Sequence, residues 1–392
     1  MLAVKTAREN FAGAGIPRPL APAAVQAAFH KAAAYFGLEL DLVPVDAHGR
    51  AGGQAMAAAM GPDTALAVIS APSYPHAVLD PVAEVAAAAA AAGFDCHVDA
   101  CIGGLVLPFW PGLPDGDLRV PGVTSISADL HKYGYAPKAT SVLLTRGRQR
   151  QRGQYFATTS WPGCPVVNPG LLGSTSAGPL AAAWAIINLL GHDGFASLAA
   201  SCHGSTTALL HAVDGIEGLR TVGTPTGPLF AVAVDPGAPA GRRVDPHHWA
   251  DALRRHGFIA QLQPAFTQPD GPVLARTTHL TITPVTESRL DELTGAMGRA
   301  AQEVRGVPGI DPGALLQSLD VRTSTLLHDA AGRSGDPDAA LLILSALGLS
   351  GGALPQAMAP VLALVEALSG PVANWLLTEL LARLVEPLPE SV

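Results

Sequence analysis

The strongest constraint on this chain is a change of hydrophobic period, repeated between residues 38 and 145, where short apolar β-rich runs exchange with segments at helical spacing. Residues 38–45 and 65–70 read as strands. The second is closed by Ala71-Pro72-Ser73-Tyr74-Pro75, whose two prolines exclude helix. Asp80 is expected to cap a helix with Pro81 in its first turn, running through the alanine tract 86–92 to Gly93. Residues 94–98, followed by Asp99, then 123–127 and 140–145 supply three more strands. The alternation predicts an α/β fold, a mostly parallel sheet covered by helices on both faces. Ligands bind such sheets beyond the carboxyl ends of the strands, which singles out Asp99, Ser127, Asp129, His131 and Lys132.

Further along, a Gly/Ser turn at 173–178 feeds a segment expected to be a buried helix up to residue 190. After about residue 215, strand-like runs at 229–234, 258–263 and 279–283 surround a helix capped by Asp245 with Pro246 behind it, and 287–304 is another helix. The expected organisation is a large domain over 1–215, a smaller α+β domain over 216–330 and a helical extension over 331–392, opened by Gly335-Asp336-Pro337-Asp338. Residues 339–365 carry no charge, but Gly351-Gly352, Pro355 and Pro360 interrupt them, so two short buried helices are expected rather than a membrane span. His247-His248, behind the Asp-Pro start, is expected on a solvated helix face.

Composition narrows the function classes. With 48% hydrophobic and 14% charged residues the chain is not disordered. Lys and Arg number 24 against 32 Asp and Glu, a net charge of −8 that argues against a nucleic-acid partner. Four cysteines without C-x-x-C spacing suit a reduced, cytoplasmic setting better than a disulfide scaffold. Residues 1–10 read as amphipathic helix rather than a secretory leader.

In His97-Val98-Asp99-Ala100-Cys101 three possible metal ligands recur at period two. Nothing nearby completes a ligand set or orients it, so no metal is expected and a plain buried strand stands as the alternative. Lys132 follows an apolar strand in a Gly/Tyr loop, where an unpaired ammonium is costly. Burial lowers a lysine pKa and frees the amine for Schiff-base chemistry. A carboxylate at one strand end and a lysine at another is what a pyridoxal phosphate site requires: the acid keeps the pyridine nitrogen protonated and the lysine carries the aldehyde. On spacing alone, a structural Asp–Lys pair remains open.

The run from His97 to Gly104 and the motif Ser127-Ala128-Asp129-Leu130-His131-Lys132-Tyr133-Gly134-Tyr135-Ala136-Pro137-Lys138 resemble the sphingosine-1-phosphate lyase family, as do Ser70 to His76 and Leu79-Asp80-Pro81-Val82. The likeness extends over roughly residues 2–305. It implies a fold type I, pyridoxal-phosphate-dependent enzyme of the group II decarboxylase type. Lys132 would then carry the cofactor, with Asp99 on the pyridinium nitrogen. His131 and the Gly173-Ser174 turn would contact its phosphate, the turn reaching across from a second subunit. Tyr74 and Lys138 would line the substrate and move protons. The family cleaves a phosphorylated long-chain base to a fatty aldehyde and phosphoethanolamine, and works as a homodimer with a shared active site.

Several residues depart from that pattern. Gln26 stands where the family has a histidine stacked on the cofactor ring, and His30, four residues on, is off the motif. Thr175 replaces an arginine, removing a bidentate anion clamp. Residues 2–16 resemble the helix behind the family's Gly-Thr phosphate loop, so the chain is expected to begin just after that loop. Two alternatives stay open, an amino-acid decarboxylase of the same cofactor group and a non-catalytic homologue. Plainer roles stand beside the functional ones: packing for Tyr74, a loop hydrogen bond for His131, a solvated charge for Lys138 and a helix cap for Ser174.

Overall fold

The computed structural model describes residues 1–318, 323, 325–327, 337–346 and 355–385. Its strands are β1 (Arg18–Pro22), β2 (Asp41–Val43), β3 (Thr64–Ser70), β4 (Asp95–Asp99), β5 (Ser125–Ala128), β6 (Val142–Thr145), β7 (Phe156–Thr158), β8 (Val166–Asn168), β9 (Leu219–Thr221), β10 (Leu229–Val234), β11 (Gln261–Gln263) and β12 (Thr277–Thr281). Before residue 319 the helices are α1 (Leu2–Asn10), α2 (Ala28–Phe36), α3 (Gly53–Ala58), α4 (Val82–Ala92), α5 (Arg148–Arg152), α6 (Gly178–Asp214), α7 (Pro246–Arg255), α8 (Pro284–Ser288), α9 (Leu290–Val304) and α10 (Pro312–Gln317).

The central sheet runs β2-β1-β3-β4-β5-β6, parallel throughout except for the antiparallel β5–β6 edge. Its alternation decides both layers. In β3, Ala67 and Ile69 face α4 and pack with Val82, Val85 and Ala89, whereas Leu66 and Val68 face α1 and α2 and pack with Val4, Ala7 and Phe29. A strand buried on both faces carries an unbroken apolar run, which is why β3 is legible in sequence. β1 is not: Pro19 and Pro22 disfavour a strand, yet it pairs with both β2 and β3.

Three local expectations change. The strand expected over 38–45 shrinks to β2. Asp80 does not cap α4, which starts at Val82 behind Pro81; its Oδ2 instead accepts the Ser70 N–H at 2.8 Å, tying the end of β3 to the loop. The helix expected to be buried up to residue 190 extends to Asp214, with non-helical backbone at Gly191, and its first half is exposed, with Trp184 at 68% and Leu189 at 84%.

The second sheet, β11-β12-β10-β9, is antiparallel. Trp249 of α7, Met297 of α9, Leu209 of α6 and Phe230 of β10 close one core against it. Asp245 caps α7 as expected, accepting the N–H groups of His247 and His248 at 3.0 Å. The two histidines are not on a solvated face: His247 is buried with Nε2 2.8 Å from the Gln263 carbonyl, and His248 Nε2 reaches the Pro308 carbonyl. Among the described residues the tail has helices at Pro337–Ala346, Ala359–Ala367 and Gly370–Leu384, the first and last of these sharing a core of Ile343, Leu344, Val372 and Leu376. Gly335-Asp336 lies outside the described residues. Among the described residues no helix is long and apolar enough to cross a membrane.

Candidate active site at the carboxyl end of the parallel sheet

β3, β4 and β5 end level with one another, Asp99 of β4 standing beside Ser70 and Ser127 in the ladder. Asp99 is 6% exposed. Its Oδ1 accepts the Ser127 hydroxyl at 3.2 Å and the Cys101 N–H at 3.1 Å. His97, two residues back on the same side of β4, bridges Ser125 and Ser127 through its two ring nitrogens at 2.9 and 3.2 Å. Burial pushes that imidazole down to about 3, so it is neutral and fixes the serine hydroxyls without adding charge. The chain then leaves β4 through Gly103, where a Cβ would run into the Ala71 carbonyl.

Lys132 sits in the loop after β5. Its Nζ lies 2.9 Å from Asp129 Oδ2, while Ser141 donates to Asp129 Oδ1 at 2.5 Å. Burial alone would lower the lysine pKa, as expected from sequence. The Cys101 thiol and the Asp129 carboxylate beside it outweigh burial, and the net shift is upward. The nearby Cys101 thiol is itself pushed up to about 12 by burial and by Asp99.

Asp99, Cys101, Ser127, Asp129 and Lys132 line one cavity of about 410 Å³ with Gln26 and Phe29. That volume lies within the usual range of small-molecule sites. Acid and amine therefore converge on one space, with Gln26 in its wall; the Gln26 side chain turns to its own helix start, accepting the Ala28 N–H at 2.6 Å. Gln26 precedes α2, so His30, exposed on that helix, does not share its position.

The remaining site residues spread out. His131 is half-buried beside the cavity, Nδ1 2.8 Å from the Thr140 carbonyl and Nε2 3.8 Å from Asp129. Tyr74 donates its hydroxyl to Gln261 Oε1 at 2.5 Å and packs its ring 4.6 Å from that of His279. Burial raises its pKa and the Lys132 charge opposes the rise. Lys138 is exposed. Gly173 and Ser174 are exposed in the turn before α6 and do not line this cavity, nor does Thr175. Sequence reasoning missed Gln261, Asp129 as the lysine's partner and the His97–Ser127 support. Only Asp129 had a signal, its place three residues before Lys132.

Among the described residues no group of His, Cys, Asp and Glu could hold a metal ion. The cavity does fit pyridoxal phosphate in the chemistry of its donors: a buried carboxylate prepared by two hydrogen bonds, and a primary amine in the same wall.

A family model described as "Pyridoxal-dependent decarboxylase conserved domain" matches residues 10–156, and one described as "Pyridoxal-dependent enzyme, C-terminal putative HTH domain" matches residues 307–383. The chain is similar to a sphingosine-1-phosphate lyase of Dictyostelium discoideum, 38% identical over 224 residues, covering 56% of this chain and 42% of the relative. A sphingosine-1-phosphate lyase of Arabidopsis thaliana is 39% identical over 232 residues, 57% and 43% of the two chains. The chain thus spans less than half the length of these curated relatives. The solved sphingosine-1-phosphate lyase of Burkholderia pseudomallei K96243 superimposes with a TM-score of 0.69 at 33% identity, over 78% of this chain and 68% of that one.

Proposed function

The chain belongs to the sphingosine-1-phosphate lyase family of pyridoxal-phosphate-dependent enzymes, and from that premise we propose that it is a carbon–carbon lyase acting on a phosphorylated long-chain amine. The observation that carries this reading is the convergence of Asp99 and Lys132 on one cavity. When bound, the cofactor supplies a cationic ring able to accept the electrons of the breaking bond.

The chain's own residues account for the rest. Asp99, its Oδ1 occupied by Ser127 and Cys101, would keep the cofactor's ring nitrogen protonated. Lys132 is the amine that would hold the cofactor, and Asp129 keeps the lysine oriented. Tyr74, whose raised pKa keeps it a phenol at neutral pH, lines the substrate and would have to release Gln261 before giving its proton to the substrate. His131 and the Gly173-Ser174 turn serve the cofactor phosphate, and Lys138 assists proton transfer. Products are a fatty aldehyde and phosphoethanolamine.

The same reading makes the working form a homodimer with a shared site. Gly173 and Ser174 lie away from their own cavity, as a turn that serves a neighbour would. Trp161, Leu172, Trp184 and Leu189, on the same stretch of sequence as the turn, are each at least half exposed, which favours a partner surface. The division into 1–215, 216–330 and 331–392 is part of this proposal, as is a reducing cytoplasmic setting, in keeping with four unpaired cysteines.

The test is addition of pyridoxal phosphate to the purified chain. The wild type is expected to develop the near-visible absorbance of lysine-bound cofactor, and borohydride reduction followed by peptide mapping to locate the adduct at Lys132. Lys132→Ala should lose both signals. A wild type without the band overturns the reading. Aldehyde rather than carbon dioxide among the products separates lyase from decarboxylase.

A further inference from the structure

A second cavity, of about 420 Å³, is lined by Gln261 and His279, the two residues that Tyr74 contacts. Its wall joins two parts of the molecule that the chain separates by nearly a hundred residues: Ile259, Gln261, Leu262 and His279 from the antiparallel sheet, and Met358 and Leu362 from the helix Ala359–Ala367 and the residue before it. Tyr74 links residues of this wall and of the Asp99–Lys132 cavity. Its hydroxyl holds Gln261, its ring lies against His279, and the Lys132 ammonium acts on its phenol.

The second cavity is lined by both aliphatic and polar side chains, Arg254 and Thr281 among the latter. Beside Tyr74, His279 is 1% exposed; Nδ1 points to the Pro75 carbonyl at 3.4 Å, and Nε2 has no hydrogen-bond partner. A buried imidazole nitrogen without a partner is costly in the free protein and is relieved by a ligand hydroxyl. Ile259, Leu262, Met358 and Leu362 supply its aliphatic lining. Ile259 is 78% exposed, an apolar side chain without a cover. The tail wall is fixed in place by buried carboxylates. Asp251 accepts the N–H groups of Met358 and Ala359 at 2.8 and 2.9 Å, and Glu366 takes the Ala265 N–H at 2.9 Å and pairs with Arg276.

Residues 307–383 contain seven acidic residues against three arginines, the wrong balance for a domain that grips a phosphate backbone. We propose that this C-terminal domain is instead a wall of the substrate site: the second cavity takes the aliphatic chain of an amino alcohol substrate, entered past Tyr74, and Met358 and Leu362 set the chain length accepted. The proposal rests on the lyase reading above, since it supplies that reaction's substrate with a place for its hydrocarbon. Burial of each methylene there is worth about fourfold in affinity.

Binding is measured by calorimetry on the cofactor-loaded full chain with two probes, a phosphorylated long-chain base and O-phosphoethanolamine, which carries the headgroup alone. The wild type is expected to prefer the long-chain probe by at least a hundredfold. Leu362→Glu and, separately, Ile259→Glu are each expected to lower long-chain affinity about tenfold or more while leaving headgroup affinity unchanged. Ile259 is exposed, so its variant keeps the test decisive if the tail variant does not fold. An unchanged long-chain preference in Ile259→Glu or in a folded Leu362→Glu, or a wild type that binds both probes equally, overturns the chain-site proposal and leaves the lyase reading standing. Binding of neither probe overturns both.

Discussion

Lys132 Nζ lies 2.9 Å from Asp129 Oδ2, a contact that, with the neighbouring Cys101, favours the protonated form of the amine that carries the proposed chemistry. An ammonium beside a carboxylate is stabilised, so the lysine titrates higher than burial alone would place it. Asp129→Asn keeps the shape and removes the charge. The pH midpoint for development of the lysine-bound cofactor band is therefore expected to fall in the variant. Spectroscopic titration from acid to alkaline pH reads it; an unmoved midpoint would mean that Asp129 is not what holds the proton on Lys132.

Ser127 gives Asp99 one of the two hydrogen bonds on its Oδ1 and is held in turn by His97. Ser127→Ala removes that donor. Loss of one hydrogen bond to an ionised group is expected to weaken cofactor binding about tenfold. Ser125→Ala, which touches His97 but not Asp99, should cost less. Cofactor titration by absorbance orders the two, and the reverse order would remove Ser127 from the support of Asp99.

How much of this was legible in the sequence depends on the range over which each feature is determined. The strand β3, the αL stop at Gly93 and the Asp245 cap are decided within a few residues, and the sequence reading of each matches the structure. So did the arrival of Asp99 and Lys132 at neighbouring strand ends, because a parallel ladder carries every strand end to the same edge. Features decided by partners distant in sequence were missed. Pro19 and Pro22 hide β1 because its pairing, rather than its propensity, makes it a strand. The exposed first half of α6 has a core-like composition and differs only in what covers it. Gln261 reaches Tyr74 across 187 positions, and no local pattern announces such a pair.

Asp80 supplies a prediction with a definite sign. Burial raises its carboxyl from 3.8 to about 7, against the Ser70 N–H that stabilises the anion, and its Oδ1 has no hydrogen-bond partner. The folded pKa lies above the unfolded one, so the stability it contributes is fully present below about pH 4 and is lost as pH rises toward 7. Asp80→Asn keeps an acceptor for Ser70 and cannot ionise. Relative to wild type, the variant is expected to gain stability across that window, by at most about 4 kcal/mol at neutral pH. Urea unfolding of both proteins at a series of pH values measures the difference, and a difference that does not change with pH would show that Asp80 stays ionised in the fold.

Asp251 links the small sheet's helix α7 to the C-terminal helices, since its two carboxylate oxygens take the N–H groups of Met358 and Ala359 at the start of the helix Ala359–Ala367. Those donors belong to the first turn, where no intrahelical acceptor exists and where the helix dipole favours a negative charge. Asp251→Ala leaves both buried or half-buried N–H groups unpaired and is expected to cost about 1–2 kcal/mol, borne by the docking of the tail rather than by the sheet. Hydrogen exchange should quicken over 359–384 while β10 and β12 keep their protection, and Asp251→Asn, which retains an acceptor, should recover part of the loss. If exchange over the tail and over the sheet rises together, the two fold as one cooperative unit. Asp251 would then stabilise the whole rather than anchor one wall of it.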